Sequence, residues 1–274
     1  MPEPRFESMT LDGIERVICH PANQLHPTPV LFQHGMWHAA WCWRDWQKAL
    51  AEQGWESHAI SLPGHGGSAR RKSVRFSTMQ DYLAVLKTEV GRLKNRPIVI
   101  GHSMGGALVQ WYLKKVADDL PAAVLLGSWT SHSTYADGTL PHLKRDPWGF
   151  MKMGATLSST PLVRNPKWAA SLLITEGAEI SPKELHANLC EESALVLSQH
   201  NPPFWRPKRD IETRMLWVAG EKDAVITSKG ARRSAQHYGA EFLSIPDAGH
   251  NLMMERNNAH TLDGIETWLA RLGL

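Results

Sequence analysis

The sequence predicts an α/β protein in which a mostly parallel, doubly wound sheet carries a helical insertion in the middle of the chain. Short apolar stretches typical of buried strands alternate with stretches of helical periodicity. Strands that are joined through helices pair in parallel and cross over with a right-handed sense. The alternation stops over residues 130–206, where prolines recur and no strand pattern is visible.

The length and composition fit one large domain with a buried core. The chain has 274 residues, of which 42% are hydrophobic and 21% are charged. We therefore expect residues 1–129 and 207–274 to form the α/β core. Residues 130–206 are expected to form a cap, or lid, over one end of the sheet.

The first third of the chain contains a predicted hairpin, two strands and two helices. Ser77 and Gln80 have the spacing of a capping box, which predicts that the second helix begins at Ser77. The elements predicted before it are the hairpin 6–20, the strand 29–33, the helix 42–53 and the strand 55–62.

The remaining two thirds of the chain return to the same alternation on both sides of the insertion. Within the insertion, residues 182–198 are the clearest helical stretch. The other predicted elements are strands over 98–100, 122–126, 215–219 and 241–245, and helices ending near 116 or spanning 227–238 and 252–271.

The charge pattern argues against nucleic acid as a partner, because a net charge of +3 is too small to attract a polyanion. A basic cluster is present at Arg70, Arg71, Lys72 and Arg75. We interpret it as a solvated loop, with attraction of an anionic substrate or surface as the alternative.

The targeting signals and cysteines point to a cytoplasmic, reduced protein. The N-terminal segment 1–5 lacks the apolar stretch of a signal peptide, and no segment has the length needed to span a bilayer. The three cysteines, Cys19, Cys42 and Cys190, are widely spaced, which indicates neither a disulfide framework nor a cysteine zinc site. The oligomeric state stays open.

The most informative motif follows the predicted strand 98–100. It reads Gly101-His102-Ser103-Met104-Gly105 and is followed by a helical segment. A Gly-x-Ser-x-Gly sequence between a strand and a helix places the serine at the apex of a sharp turn. The turn strains the serine backbone, and a Cβ at either glycine would clash with a neighbouring strand or helix. The motif predicts that Ser103 is a catalytic nucleophile.

A serine nucleophile needs a base, and the base needs an orienting group. Functional groups of open α/β sheets gather beyond the carboxyl ends of the strands. His250 and Asp223 each follow one of the last two predicted strands, so we expect them to be base and orienting acid. Glu221 and Asp247 are neighbouring carboxylates that rank below Asp223.

The order Ser103, Asp223, His250 is the nucleophile, acid and base order of α/β-hydrolases, and the chain resembles that family over nearly its whole length. The resemblance also includes His34-Gly35 and the turn-rich loop 63–68. Segment 34–43 is similar to the corresponding loop of plant methylesterases and hydroxynitrile lyases. The resemblance implies an α/β-hydrolase fold with a cap.

The resemblance also implies an oxyanion hole of two backbone N–H groups. One belongs to Met104, the residue after the nucleophile, and the other to Met36 or Trp37 in the loop after the early strand. Met36 is preferred, but the sequence leaves both open. His34 is expected to stabilise this loop. His34 and His38 lack a third ligand, so no metal site is predicted.

The same resemblance narrows the reaction. The related lyases have a lysine beside the catalytic histidine, where this chain has Asn251, and dehalogenases and epoxide hydrolases use an aspartate nucleophile. We therefore expect hydrolysis of an ester of a small, largely apolar molecule through an acyl-enzyme, without a cofactor. The alternatives are a thioesterase or acyltransferase, supported only by the basic cluster, and a non-catalytic receptor for a small ligand.

The substrate pocket is expected to lie between the cap and the core. The side chains proposed for it are mostly aromatic residues and methionines, for which ordinary core packing is the competing interpretation. They are His34, Trp37, Trp129, Phe150, Met151, Met153, Phe204 and Trp205.

Overall fold

The structure, a computed structural model, describes residues 3–70 and 72–274, apart from the side chains of residues 136 and 137. Arg71 of the basic cluster and the first two residues of the N-terminal segment lie outside this description. Eight strands form one sheet. They are β1 (Arg5–Leu11), β2 (Ile14–His20), β3 (Val30–Gln33), β4 (Ser57–Ile60), β5 (Ile98–His102), β6 (Ala123–Leu126), β7 (Met215–Gly220) and β8 (Glu241–Ile245).

The sheet is mostly parallel, and its strand order is β1-β2-β4-β3-β5-β6-β7-β8. The hairpin strand β2 pairs antiparallel with β1 and with β4, while all the other neighbouring strands pair in parallel. Strands β3, β5, β6 and β7 are buried along their whole length, because helices cover both faces of a parallel sheet. The predicted fold class is confirmed.

Five of the α-helices among the described residues flank the sheet, and five lie between β6 and β7. No helix in the described part of the chain is both long and apolar enough to cross a membrane. The helices are α1 (Arg44–Glu52), α2 (Met79–Arg92), α3 (Met104–Lys115), α4 (Leu140–Arg145), α5 (Pro147–Thr156), α6 (Pro166–Leu173), α7 (Pro182–Asn188), α8 (Ala194–Gln199), α9 (Ser228–Tyr238) and α10 (Asn258–Arg271).

The predicted start of α2 was wrong by one residue. Thr78, and not Ser77, is the N-cap, and Asp81 takes the place expected for Gln80. The Asp81 backbone N–H donates to Thr78 Oγ1 at 3.2 Å, and the Thr78 N–H donates to the Asp81 carboxylate at 2.8 Å. A carboxylate in the first turn also interacts favourably with the helix dipole, which a neutral glutamine cannot do.

The predicted helix 182–198 is divided into α7 and α8. The intervening backbone is used for contacts outside the helices, since the Cys190 N–H donates to Trp37 O at 2.7 Å. The Ser193 N–H donates to the buried Glu192 carboxylate at 2.7 Å, and the Ser193 side chain caps α8. The contact between Cys190 and Trp37 joins residues distant in sequence, so helical periodicity could not reveal the break.

A stack of aromatic rings closes the core between α3 and the segment after α8. Trp205 lies between Trp111, at 5.3 Å between ring centroids, and His200, at 4.9 Å. The Trp111 indole N–H donates to His200 Nδ1 at 3.0 Å, so the proton of His200 is on Nε2, which donates to Thr130 O. Burial lowers the pKa of His200 to about 4 and keeps the ring neutral.

We expect the free energy of unfolding to fall as the pH is lowered, because His200 is neutral in the folded protein and becomes protonated when the chain unfolds. The unfolded chain binds a proton near pH 6.5, which the folded chain excludes until about pH 4. The stability is therefore complete above pH 6.5 and falls by about 3 kcal/mol as the pH approaches 4. Urea unfolding between about pH 7 and 4.5 measures this, and His200→Gln is expected to have lower stability at pH 7 but a shallower pH slope. An unchanged slope in this variant would contradict the assignment.

Candidate active site

Ser103 lies at the junction of β5 and α3 with a backbone φ of 53° and ψ of −116°. This strained conformation depends on two glycines. A Cβ on Gly101 would lie 2.5 Å from the carbonyl oxygen of Gly105, and a Cβ on Gly105 would overlap the carbonyl oxygen of Gln33 on β3. The helix and the neighbouring strand therefore approach the turn as closely as the motif predicts.

Ser103, His250 and Asp223 form one hydrogen-bonded chain. His250 Nε2 lies 2.8 Å from Ser103 Oγ, and His250 Nδ1 lies 2.9 Å from Asp223 Oδ2. The other Asp223 oxygen accepts the backbone N–H groups of Val225, at 2.7 Å, and Ile226, at 2.9 Å. An anchored carboxylate keeps the proton of His250 on Nδ1, which leaves Nε2 free to accept the serine proton.

The two competing carboxylates lie elsewhere. Asp247 pairs with Lys222 at 2.6 Å on the surface, and Glu221 accepts the hydroxyl hydrogen of Ser244 at 3.1 Å. Of the carboxylates weighed in the sequence, the structure places Asp223 beside His250.

Two buried histidines orient the loop after β3. His34 Nε2 accepts the backbone N–H of Leu62 at 3.0 Å, so His34 Nδ1 carries the proton and donates to Gly35 O at 2.8 Å. The carbonyl and the N–H of one trans peptide point in opposite directions. The bond to Gly35 O therefore sets the direction of the Met36 N–H. Burial and the nearby His65 lower the pKa of His34, which keeps the ring neutral.

His38 acts in the same way on the next peptide. The Asn251 amide donates to His38 Nε2 at 3.0 Å, so His38 Nδ1 donates to Met36 O at 2.7 Å. This bond sets the direction of the Trp37 N–H. Burial lowers the pKa of His38 to about 4. Among the described residues, neither the Met36 N–H nor the Trp37 N–H has an acceptor.

The third N–H near the serine belongs to Met104, the first residue of α3. An N–H in the first turn of a helix has no acceptor within the helix. The loop after β3 and the start of α3 thus provide unpaired donors beside Ser103. This arrangement can stabilise negative charge on an oxygen bound to the serine.

Trp37 links this loop to the insertion. Its φ is 63°, its indole N–H donates to Ser159 Oγ at 3.0 Å, and its carbonyl accepts the Cys190 N–H at 2.7 Å. Both partners belong to residues 130–206. The insertion therefore fixes the backbone of the loop after β3 at Trp37. The sequence had assigned this loop to the core alone.

A cavity with a volume of about 60 Å³ lies against Ser103 and His250. Its surface is largely apolar, and both the core and the insertion contribute to it. Three of the eight residues proposed for the substrate pocket line it, namely Trp37, Trp129 and Phe150. Further apolar lining residues are Leu162, Trp168, Leu172, Leu173, Leu197 and Ile226.

Comparison with known proteins gives the family. The model of the alpha/beta hydrolase family matches residues 30–260. The chain belongs to the alpha/beta hydrolase family. A structure described as a thermophilic esterase has the same fold, with a TM-score of 0.69, 20% sequence identity and coverage of 98% of this chain and 99% of the other.

Two curated relatives of this α/β-hydrolase match over shorter stretches. A carbendazim hydrolyzing esterase of Nocardioides sp. (strain SG-4G) is 29% identical, over 35% of this chain and 40% of its own length. The pFDCC methylesterase MES16 of Arabidopsis thaliana is 31% identical, over 40% of this chain and 41% of its own length. The chain thus covers about two fifths of these relatives.

Five residues proposed for the pocket do not line the cavity. His34 is the residue that directly follows β3, and its ring accepts the Leu62 N–H. Trp205 is stacked in the core. Met151 and Phe204 are 54% and 67% exposed, and Met153 is half-buried against the core. In α5, the 3.6-residue period turns Phe150 toward the cavity and Met151 away from it.

Sequence reasoning missed several polar lining residues, among them Thr139 and His142. Thr139 Oγ1 and His142 Nε2 are shielded from solvent and have no partner within the described part of the chain. Burial and the nearby His250 lower the pKa of His142, which favours the neutral ring. No regular pattern in the sequence marks them, because the segment contains no predicted element.

Metal ligands are not grouped in the described residues, where no cluster of three or more His, Cys, Asp or Glu side chains could hold an ion. The pair that the spacing singled out, His34 and His38, uses both ring nitrogens in hydrogen bonds within the chain.

The serine turn predicts opposite effects for two glycine substitutions. Gly105→Ala should destabilise the protein by about 3 kcal/mol or more, because the new Cβ meets backbone carbonyls that cannot rotate away. Gly91→Ala in α2 is the matched control. Its Cβ would have open space, so alanine should stabilise the helix by about 0.5 kcal/mol. Urea unfolding measures both, and wild-type stability in Gly105→Ala would contradict the prediction.

Proposed function

We propose that this α/β-hydrolase is a cofactor-independent serine esterase that acts on a small, largely apolar ester. The observation that carries the proposal is the continuous hydrogen-bonded chain from Ser103 through His250 to Asp223 beside an apolar cavity. The two curated relatives are described as an esterase and a methylesterase, which supports the same class of reaction.

In the proposed mechanism, Ser103 Oγ attacks the ester carbonyl while His250 Nε2 takes the hydroxyl proton. The Asp223 carboxylate stabilises the imidazolium that forms. The tetrahedral intermediate collapses, His250 protonates the departing alcohol, and the acyl group stays on Ser103. A water molecule, activated by the same histidine, then releases the acid and restores the serine.

The negative charge of the tetrahedral intermediate is proposed to fall on an oxygen between the Met104 N–H and that of Met36 or Trp37. A preorganised donor of this kind is worth about 10²- to 10³-fold in rate. His34 and His38 contribute by holding the two loop peptides in fixed directions. The choice between Met36 and Trp37 stays open.

The volume of the cavity favours an ester in which either the acyl or the alcohol group is small. About 60 Å³ accommodates a short acyl or alcohol group, whereas drug-sized pockets measure about 300 Å³ or more. Residues 130–206 are proposed to act as a cap that sets this size, since Trp168, Leu172 and Leu197 come from it.

The basic cluster gives the thioesterase alternative less support than the sequence indicated. Arg70 pairs with Glu191 at 3.1 Å, and Lys72 pairs with Asp81 at 2.7 Å. Carboxylates of the same chain therefore compensate these charges, which reduces their attraction for the phosphates of an acyl carrier. We thus favour a simple ester as the substrate.

Ser103→Ala is expected to lower p-nitrophenyl ester hydrolysis by about 10³-fold or more while the protein stays folded. A fluorophosphonate probe should label the wild type at Ser103 and leave the variant unlabelled. Ser198→Ala, on the surface of α8, is the control and should keep full activity.

Full activity in Ser103→Ala would exclude the proposed nucleophile. Faster turnover of acyl-CoA than of matched esters would favour the thioesterase. Tight binding of small ligands without turnover of any ester would favour the receptor.

His38→Ala is expected to lower kcat by about 10-fold and to leave KM nearly unchanged. The loop peptide then loses the bond that sets its direction, and transition-state charge is less well stabilised. Steady-state kinetics on a p-nitrophenyl ester measure the two constants. His26→Ala is the control, because this ring stacks on Trp55 and does not line the cavity. A change confined to KM would contradict the positioning role.

A further inference from the structure

Exposed apolar side chains are concentrated on the insertion. Of the eleven large hydrophobic side chains that are exposed among the described residues, six lie within residues 135–157. We call these six side chains the cap patch. They are Tyr135, Leu140, Leu143, Trp148, Met151 and Leu157. Exposed apolar side chains concentrated in one segment in this way are typical of an interaction site.

Helix α5 is apolar on both of its faces. Phe150 lines the cavity on the inner face, while Trp148 and Met151 are 58% and 54% exposed on the outer face. A helix at a protein surface normally presents polar side chains outward. Burial in the core therefore does not account for Trp148 and Met151.

Basic side chains accompany the cap patch. Lys144 and Arg145 end α4, and Lys152 lies one turn beyond Trp148 with its ammonium 5.4 Å from that ring. Within the part of the chain that the structure describes, none of these three cations pairs with a carboxylate. Asp146, between them, is buried and bonded to Arg164. The surface thus combines exposed apolar groups with unpaired positive charge.

We propose that the cap patch docks on an anionic lipid surface and that the ester substrate reaches the cavity from that surface. Tryptophan and aliphatic side chains insert at the boundary between headgroups and acyl chains, and lysine and arginine contact anionic headgroups. A second copy of the chain fits less well, because two cap patches face to face would bring the same cations together. Docking itself does not depend on the proposed function, whereas delivery of an ester does.

The position of the cap patch relative to the cavity supports delivery. Arg145 and His142 line the cavity from α4, and Phe150 lines it from α5. Leu143, Trp148 and Met151 are exposed on the same two helices. A protein docked through these helices has only the thickness of the cap between the lipid and Ser103.

The test is co-sedimentation of the purified full chain with vesicles of phosphatidylcholine containing about 30% phosphatidylglycerol. Binding to these vesicles is expected to exceed binding to pure phosphatidylcholine and to weaken with added salt. Trp148→Ser with Met151→Ser should weaken it by about 10-fold or more. Lys144→Glu with Lys152→Glu should remove the preference for phosphatidylglycerol. Phe204→Ser is the matched control, since Phe204 is 67% exposed outside the cap patch and should bind as wild type.

Three results would overturn the proposal. The first is absence of wild-type binding to the anionic vesicles, and the second is equal binding by the Trp148→Ser, Met151→Ser variant. The third is self-association without vesicles that this variant abolishes, which would assign the surface to a second copy. The variant should keep the wild-type unfolding temperature, because both side chains are exposed.

The same binding measurement on Ser103→Ala separates the two proposals. Vesicle binding by this variant, together with no ester hydrolysis by the wild type, would overturn the esterase function and leave docking intact. Hydrolysis of dissolved esters by the wild type without vesicle binding would overturn docking and leave the esterase function intact.

Discussion

The site depends on the close approach of three backbone segments at Ser103. Strand β5, the first turn of α3 and the end of β3 meet where side chains at positions 101 and 105 would occupy the space of backbone carbonyls. This contact forces Ser103 to a positive φ and places it within reach of His250. The loop after β3 joins the same contact, since a Cβ on Gly35 would lie 2.9 Å from the Ser103 Cβ. Packing energy in the sheet thus maintains a strained residue beside three N–H donors that are unpaired among the described residues, those of Met36, Trp37 and Met104.

Burial keeps the histidine rings around this contact neutral. His34, His38 and His102 are enclosed, so desolvation lowers their pKa and keeps them neutral. A neutral imidazole donates through one nitrogen and accepts through the other, and each partner decides which. Two of these rings therefore act as fixed connectors between the loop after β3 and its neighbours. The same burial makes the folded protein sensitive to acid.

The insertion has two surfaces with different consequences. Its inner side closes the cavity and holds the backbone of Trp37 through Ser159 and Cys190. Its outer side carries the cap patch and the cations of Lys144 and Lys152, which pair with no carboxylate among the described residues. Because the inner side both binds Trp37 and lines the cavity, movement of the insertion would change the pocket and the loop beside Ser103 together.

The sequence by itself determined the α/β alternation, the turn at Ser103 and the positions of Asp223 and His250 after their strands. These features depend on local period and on glycines within a few residues, so a linear pattern carries them. Tertiary structure alone decided which pocket residues meet and how the loop peptides point. The sequence predicted the same pocket role for Trp205 and Phe204. In the structure, Trp205 is stacked in the core and Phe204 is exposed. Contacts such as His38 with Asn251 join residues far apart in the chain, and no local pattern records them.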